Sequence, residues 1–387
     1  MKKVILAPGG IFHSPLLIRI LNNINFNISL FSAYPKSYFN NYMNFDIKHH
    51  FIPMPFQSFS KIFKIKLKFE EVDSFIFEYL LSKKIIESEY FHGWAGFSNL
   101  SMKKLAKQNT KIKMFLERSC PHIEHQENLM RDEHKFLKIE YKEKSLKFYD
   151  KCKEEYDICD QIVVPSKYTA ETFYSKGFDK KKIYISSLSY KFNKYEILNE
   201  HINKTKKFKV CSVGGNVTRK GFYYLIKAWN ELNIKNAELN LRTDINELKK
   251  IKKIADLLNE SKSINIIDKI DNIKSFYLDH DLFCLTSIDE GFGMVVTEAL
   301  NCGLPIIISE NVGAKDLFED YKSTEPQIYK ITKIRDVEEI KNAIKYYFEL
   351  YNTNRYPELN EANKNFINSR LNSESNIYEK NIISLYE

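Results

Sequence analysis

Two glutamates, Glu290 and Glu298, bracket a glycine turn at Gly291 and Gly293. Before the turn, DLFCLTS (281–287) reads as an apolar strand, and after it GMVVTEALNCG (293–303) reads as a helix. A strand that passes through a glycine turn into a helix aims backbone N–H groups and the positive end of the helix dipole at one point, which suits a phosphate. Carboxylates do not serve a phosphate. They are better placed to accept hydrogen bonds from hydroxyls on either side of it, such as those of a sugar and a ribose. These residues therefore describe a pocket for a nucleotide carrying a sugar. The competing reading is an ordinary strand–turn–helix with carboxylates on its surface.

To present such a pocket the chain needs parallel α/β architecture, and apolar runs alternate with helix-like stretches almost throughout. In the first half KVILA, NISLFSA, EYFHGW, KIKMFLE and QIVVPS predict strands, with helices over 14–23, 72–86, 100–108 and 167–175. In the second half FKVCSVG, ELNLRT, INIID, DLFCLTS and PIIIS predict strands, with helices over 222–232, 245–259, 294–302 and 337–350. A polar stretch without periodicity at 190–206 divides the two sets. The reading is two Rossmann-like domains facing each other across a cleft, residues 1–195 and 196–365. The tail over 363–387 is amphipathic and predicts helix.

The stretch S-x-x-E-G-F-G-x-x-x-x-E-A-L-x-C-G-x-P-I-I (287–307) resembles the signature of the retaining glycosyltransferases of family 4, which have the GT-B fold. It is far more specific than a lone glycine motif. The resemblance implies that Glu290 contacts the transferred sugar and Glu298 the ribose. It also implies that Gly291, Phe292, Gly293 and Met294 belong to the donor site. By analogy the last helix, 366–387, crosses back onto the first domain.

The second half opens with VCSVGGNVTRKGFYYLIKAW (210–229). Two cations close to a glycine turn can neutralise a diphosphate as the bond to it breaks. The segment resembles the G-R-x-x-x-x-K-G element of the same family, whose Arg and Lys grip the donor diphosphate. Lys220 matches the Lys, but Gly215 stands where the Arg is usual, so Arg219 would supply that charge. Gly214 and Gly215 would line the donor site. The alternative is a solvated basic helix start.

In the first half, Gly9 and Gly10 permit close backbone approach, whether to a ligand or within a tight βα turn; Ser14 is expected to cap the next helix, with Pro15 at its first position. His92 follows a strand, as cleft residues do. The pattern ERSxxH…Q…E from Glu117 resembles a subgroup of the family and implies cleft positions for Glu117, Arg118 and His122, with His122 joining Glu290, Arg219 and Lys220 as catalytic candidates. Whether His92 or His122 lies at the reaction centre stays open, as does a capping or buried structural role for each. His122 and His125 lack a third ligand, so no metal site is expected. Ser166, after a strand resembling the family's D-x-I-V-x-P-S landmark, is expected to cap the helix that follows.

At 387 residues the chain can bury two cores, and no apolar run approaches the length of a membrane span. MKKVILAPGG reads as a first strand, not a signal peptide. Six cysteines without C-x-x-C or metal spacing suggest reduced thiols and a cytoplasmic setting. The net charge of +9 is spread widely, mostly as Lys, and no nucleic-acid motif accompanies it, so no nucleic-acid partner is expected. Residues 56–69, FQSFSKIFKIKLKF, interleave apolar residues with lysines; they fit peripheral contact with an anionic membrane or a solvated loop.

The resemblance implies transfer of a sugar, with retention, from a nucleoside diphosphate sugar to a glycan or lipid-linked acceptor, in polysaccharide, lipopolysaccharide or glycolipid assembly. No cofactor or metal is expected, there being no Asp-x-Asp motif near the donor segment. The rival readings are a GT-B nucleotide-sugar 2-epimerase and a non-catalytic nucleotide-sugar-binding homologue. A nicotinamide dehydrogenase is disfavoured, because 7–14 lacks G-x-G-x-x-G.

Overall fold

The computed structural model describes residues 1–39, 47–56, 70–108, 111–188, 207–321, 325–367 and 377–387. Among them the strands are β1 (Lys3–Ala7), β2 (Asn27–Ser32), β3 (Lys48–Phe51), β4 (Tyr90–Trp94), β5 (Lys113–Glu117), β6 (Gln161–Val164), β7 (Ile183–Ile185), β8 (Phe208–Val213), β9 (Ala237–Arg242), β10 (Ile264–Ile267), β11 (Leu282–Leu285), β12 (Ile306–Ser309) and β13 (Tyr329–Thr332). They form two wholly parallel sheets, ordered β3-β2-β1-β4-β5-β6-β7 and β10-β9-β8-β11-β12-β13.

Each sheet is built by the same rule. The chain lays down a central strand, β1 or β8, and works outward through two more. It then returns to pair a fourth strand, β4 or β11, on the other side of the first. The reversal leaves a crevice at the carboxyl ends of β1/β4 and of β8/β11, where open α/β sheets bind ligands. Both faces of these strands are covered, so β11 and β12 are apolar and buried along their whole length. In β1 the pleat sends Val4 and Leu6 to one core and Ile5 and Ala7 to the other.

The helices are α1 (Ser14–Asn23), α2 (Glu70–Lys84), α3 (Asn99–Lys107), α4 (Ile123–Leu137), α5 (Leu146–Ile158), α6 (Lys167–Tyr174), α7 (Phe222–Leu232), α8 (Ile245–Lys249), α9 (Lys252–Glu260), α10 (Ile273–Leu278), α11 (Met294–Asn301), α12 (Val337–Asn352), α13 (Tyr356–Phe366) and α14 (Ile377–Tyr386). The C-terminal α14 lies on the first sheet beside α1 and buries Tyr378, Ile382, Leu385 and Tyr386. Tyr90 and Lys2 both donate to the Tyr386 carbonyl, and Tyr184 donates to the Asn381 carbonyl at 2.6 Å.

Several expectations need correction. The sheets have seven and six strands, not five each; β3, β7 and β13 are edge strands of three or four residues, too short for periodicity to register. The single helix over 245–259 is two helices, because Ile251 adopts an extended backbone and buries its side chain. The helices α4 and α5 went unread because they bury Glu127, Glu133 and Glu155, which blurs the apolar stripe. Ser14 does not cap α1: it is the first helical residue, and its hydroxyl donates to the Ile11 carbonyl. Ser166 does cap α6, accepting from the Thr169 N–H at 3.1 Å. The break at 190–206 lies outside the described residues, as does the strip 56–69 apart from Phe56.

Candidate functional site

The second crevice is assembled by two loops that follow β8 and β11. Gly221, at φ +63°, sits against the Thr286 carbonyl, and a Cβ there would lie 2.1 Å from that oxygen. Only glycine takes that backbone at that distance. The two loops are then tied by the Ile288 N–H donating to the Arg219 carbonyl at 2.8 Å. Gly214 leaves the space through which the Lys220 side chain passes, since a Cβ there would meet it at 2.6 Å.

That passage delivers Lys220 Nζ to Glu290 Oε2 at 2.5 Å, and Arg219 Nη1 reaches the same oxygen at 3.2 Å. Arg219 also donates to the Asp289 carbonyl at 3.1 Å. Burial alone would raise the Glu290 pKa, but the two cations outweigh it and hold the carboxyl below its ordinary range. Directly after it Gly293, at φ +93°, caps α11 without a side chain, so the helix N-terminus is bare backbone. One turn in, Glu298 accepts from the Tyr277 hydroxyl at 3.0 Å; burial raises its pKa, with Tyr277 and Lys220 opposing. Glu290, Glu298, Arg219 and Lys220 therefore share one crevice, with Lys220 acting on both carboxylates.

Other residues of the signature have different work. Phe292 is buried in the second-domain core and contributes packing, a correction to its expected donor contact. Gly291 faces the first domain: its carbonyl accepts from Ser166 and Thr169 at 2.6 and 3.2 Å. A Cβ on Gly291 would lie 2.0 Å from the Ser119 carbonyl, so the glycine is needed for domain contact. Met294 is half-buried at the start of α11. Gly215 has open space where a side chain would go.

Arg118 folds its own loop, donating to the Pro121 carbonyl at 2.9 Å and to Gln126 Oε1 at 3.2 Å. Gln126 in turn donates to Asp289 Oδ2 at 2.7 Å, and the Tyr168 hydroxyl donates to Oδ1. The chain Arg118–Gln126–Asp289 thus braces the residue before Glu290 from across the cleft. Gln126 is the glutamine of the ERSxxH…Q…E pattern, whereas Asp289 stands at an unspecified position of the signature. Along α4 the buried Glu133 takes Arg335 Nε at 2.8 Å and the Tyr224 hydroxyl at 3.1 Å, a second link between the domains.

His122 is not a cleft base. It is the N-cap of α4, with Nδ1 accepting from the Glu124 N–H, and its ring packs on Tyr156, Phe173 and Phe178. Burial lowers its pKa to about 4, so the ring is a neutral structural cap near pH 7.

The first crevice holds a separate cluster. Glu117, at the end of β5, lies 3.1 Å from His13 Nε2 and 3.4 Å from His92 Nε2, close contacts whose angles fall outside hydrogen-bond geometry. Burial would raise the Glu117 pKa, but His13 and His92 outweigh it and hold it at about 2. His92 Nδ1 pairs with the Tyr386 hydroxyl at 2.7 Å, and His13 stands edge-on to Tyr378, so α14 covers both histidines. Gly9 lies flat against the Phe97 ring, where a Cβ would meet carbon at 2.5 Å, and Gly10 packs under Phe12 of its own loop. His13 was missed, although it stands in the loop after β1 beside those glycines.

Comparison with known proteins adds the following. A curated relative from Haemophilus influenzae, described as an uncharacterized glycosyltransferase, is 35% identical over 120 residues. The aligned stretch spans 30% of this chain and 33% of that relative. The structure of Anabaena HepE in complex with UDP and glucose superposes with a TM-score of 0.68 at 14% identity, covering all of both chains. A sucrose-phosphate synthase from Thermosynechococcus elongatus superposes at 0.68, also at 14% identity, over 100% of this chain and 98% of that one. The chain has the two-domain GT-B fold, and residues 193–366 match the model of the family glycosyl transferases group 1.

Proposed function

We propose that this chain is a retaining, metal-independent glycosyltransferase that moves a sugar from a nucleoside diphosphate sugar to an acceptor hydroxyl. The observation that carries the reading is Glu290 held by Lys220 and Arg219 at 2.5 and 3.2 Å, beside the bare N-terminus of α11. The family match over 193–366 supports it. So does the likeness to HepE, whose structure is a complex with UDP and glucose.

Glu290 neutralises two cations. An arriving diphosphate competes for Lys220 and Arg219, freeing the Glu290 carboxylate to accept hydrogen bonds from hydroxyls of the sugar. Glu298 is one turn further into α11, suited to ribose hydroxyls. The acceptor oxygen attacks the anomeric carbon on the face that the phosphate leaves. The C–O bond to phosphate breaks, and the acceptor proton passes to the departing phosphate oxygen. Charge building there meets Arg219, Lys220 and the helix N-terminus. Two fixed cations do the electrostatic work that a divalent ion does in other sites, which is the reason for proposing metal independence.

The acceptor we propose is a glycan or lipid-linked saccharide of cell-surface polymer assembly. The protein would act in the cytoplasm, with the lysine-rich 56–69 segment meeting anionic membrane. Among the described residues no helix is long and apolar enough to cross a membrane.

Thermal-shift screening against UDP-, GDP- and ADP-sugars, followed by NMR of the product's anomeric centre, tests this. At least one donor should stabilise the fold, and transfer should proceed with retention in the presence of a chelator. Absence of stabilisation by any donor overturns the reading. Inversion removes retention, loss of turnover with chelator removes metal independence, and an epimer from donor alone points to an epimerase.

A further inference from the structure

A cavity of about 720 Å³ opens between the domains, beside the loop that carries Arg219 and Lys220. Its walls include His134, Ile139 and Glu140 at the end of α4 and, from the second domain, Gly215, Thr218 and Glu247. The size falls within the range of roughly 300–1,000 Å³ of small-molecule sites.

The polar groups of this wall both accept and donate hydrogen bonds, as the hydroxyls of a sugar do. Glu140 and Glu247 supply carboxylates, which accept hydrogen bonds, Lys250 pairs with Glu247 at 2.9 Å and supplies N–H donors, and Thr218 supplies a hydroxyl. His134 Nδ1 donates to the Met130 carbonyl at 2.7 Å, which leaves Nε2 for a ligand. Ile139 gives an apolar patch for the C–H face of a ring. The floor is open because Gly215 has no side chain and nothing stands within 4 Å of where its Cβ would be. The wall is also joined to the proposed reaction centre. The Asn216 side chain, one residue on, accepts the Arg219 N–H at 3.0 Å, and Arg219 and Lys220 follow in the same loop.

We propose that this interdomain groove is a subsite for a neutral oligosaccharide, seating the part of a glycan acceptor that lies beyond the reacting sugar. The proposal rests on the function proposed above. In it, the glycine that replaces an arginine in the cation motif exchanges a charge for room to hold a sugar ring.

The test uses the full chain, with maltotriose, cellotriose and triacetylchitotriose as sugar probes and UDP, GDP and ADP as nucleotide probes. Binding is read by saturation-transfer NMR and calorimetry. The wild type should bind at least one trisaccharide. Gly215→Trp should abolish that binding, and Glu140→Ala should weaken it at least fivefold while nucleotide affinity stays within twofold. The proposal is overturned if no trisaccharide binds, if Gly215→Trp binds as well as wild type, or if Glu140→Ala weakens nucleotide more than trisaccharide. Failure of every nucleotide to bind the wild type sinks the parent reading instead, and trisaccharide binding with the stated sensitivities would still establish the subsite.

Discussion

The two switch-point crevices hold the same motif in different chemistry. At β8/β11 the carboxylate of Glu290 is gripped by Arg219 and Lys220; at β1/β4 the carboxylate of Glu117 stands between His13 and His92. In each, the β-strand geometry brings a buried acid to the carboxyl end of a sheet, and basic groups from a neighbouring loop or strand offset its desolvation. The difference lies in the bases. Arg and Lys keep their charge at any physiological pH, so an incoming anion can take Glu290's place and still be neutralised. Histidine charge changes near neutrality, and here two tyrosines of α14 close over the rings. On the proposed function, one slot of the topology exchanges ligands, while its counterpart fastens the C-terminal helix to the first sheet.

The largest expected effect tests the exchange side. Lys220→Ala leaves Glu290 with Arg219 alone. Nucleoside diphosphate affinity should fall at least about tenfold and transfer about 10²- to 10³-fold, read by calorimetry with UDP, GDP or ADP and by donor turnover. Values within twofold of wild type would erase the distinction between the crevices.

Glu117→Gln should act on the fold and leave nucleotide binding alone. It should cost about 1–3 kcal/mol in urea denaturation at pH 7. The folded pKa of Glu117, about 2, lies below the ordinary 4.5. Its stabilisation is therefore complete above pH 4.5 and is lost as pH falls toward 2, and the variant should lack that acid-side loss. An unchanged slope across this window would show that the histidine cluster does not fasten the helix.

Tyr277→Phe removes the hydroxyl that donates to Glu298. The expected loss is about 1 kcal/mol, roughly fivefold in nucleotide affinity, with the fold intact. Unaltered calorimetry would detach Glu298 from the ribose.

The smallest effect is His122→Gln. Its folded pKa of about 4 lies below the ordinary 6.5 because of burial. The unfolded chain takes up a proton between those values, so His122 costs stability as pH falls from 6.5 to 4. The variant, which lacks the titrating ring, should show a shallower decline in urea midpoint from pH 7 to pH 5. An identical decline would remove His122 from the pH response.

Much of the second domain was legible because its signals are local. Apolar runs such as Leu282–Leu285 and Ile306–Ser309, glycines at 221 and 293, and the helix Phe222–Leu232 follow from neighbours a few residues away. Short edge strands and the acid-rich α4 and α5 were not legible, since three residues hold no period and a buried glutamate imitates a surface one. The family resemblance placed Phe292 and Gly291 in the donor site; the structure seats the Phe292 side chain in the core and the Gly291 carbonyl against Ser166 and Thr169. His122 carried a cleft assignment by resemblance, and its aromatic surroundings come from residues that sequence spacing does not bring together.

What the chain alone determined is the strand–glycine–helix presentation of Glu290 and Glu298, because φ freedom and apolar period act within a dozen residues. Only the tertiary structure decided which charges meet those carboxylates. Lys220 is 70 residues from Glu290, and Tyr386 is 294 residues from His92. Such pairings are fixed by how two sheets and a returning helix pack, and the cost of leaving a buried charge unmatched selects among them.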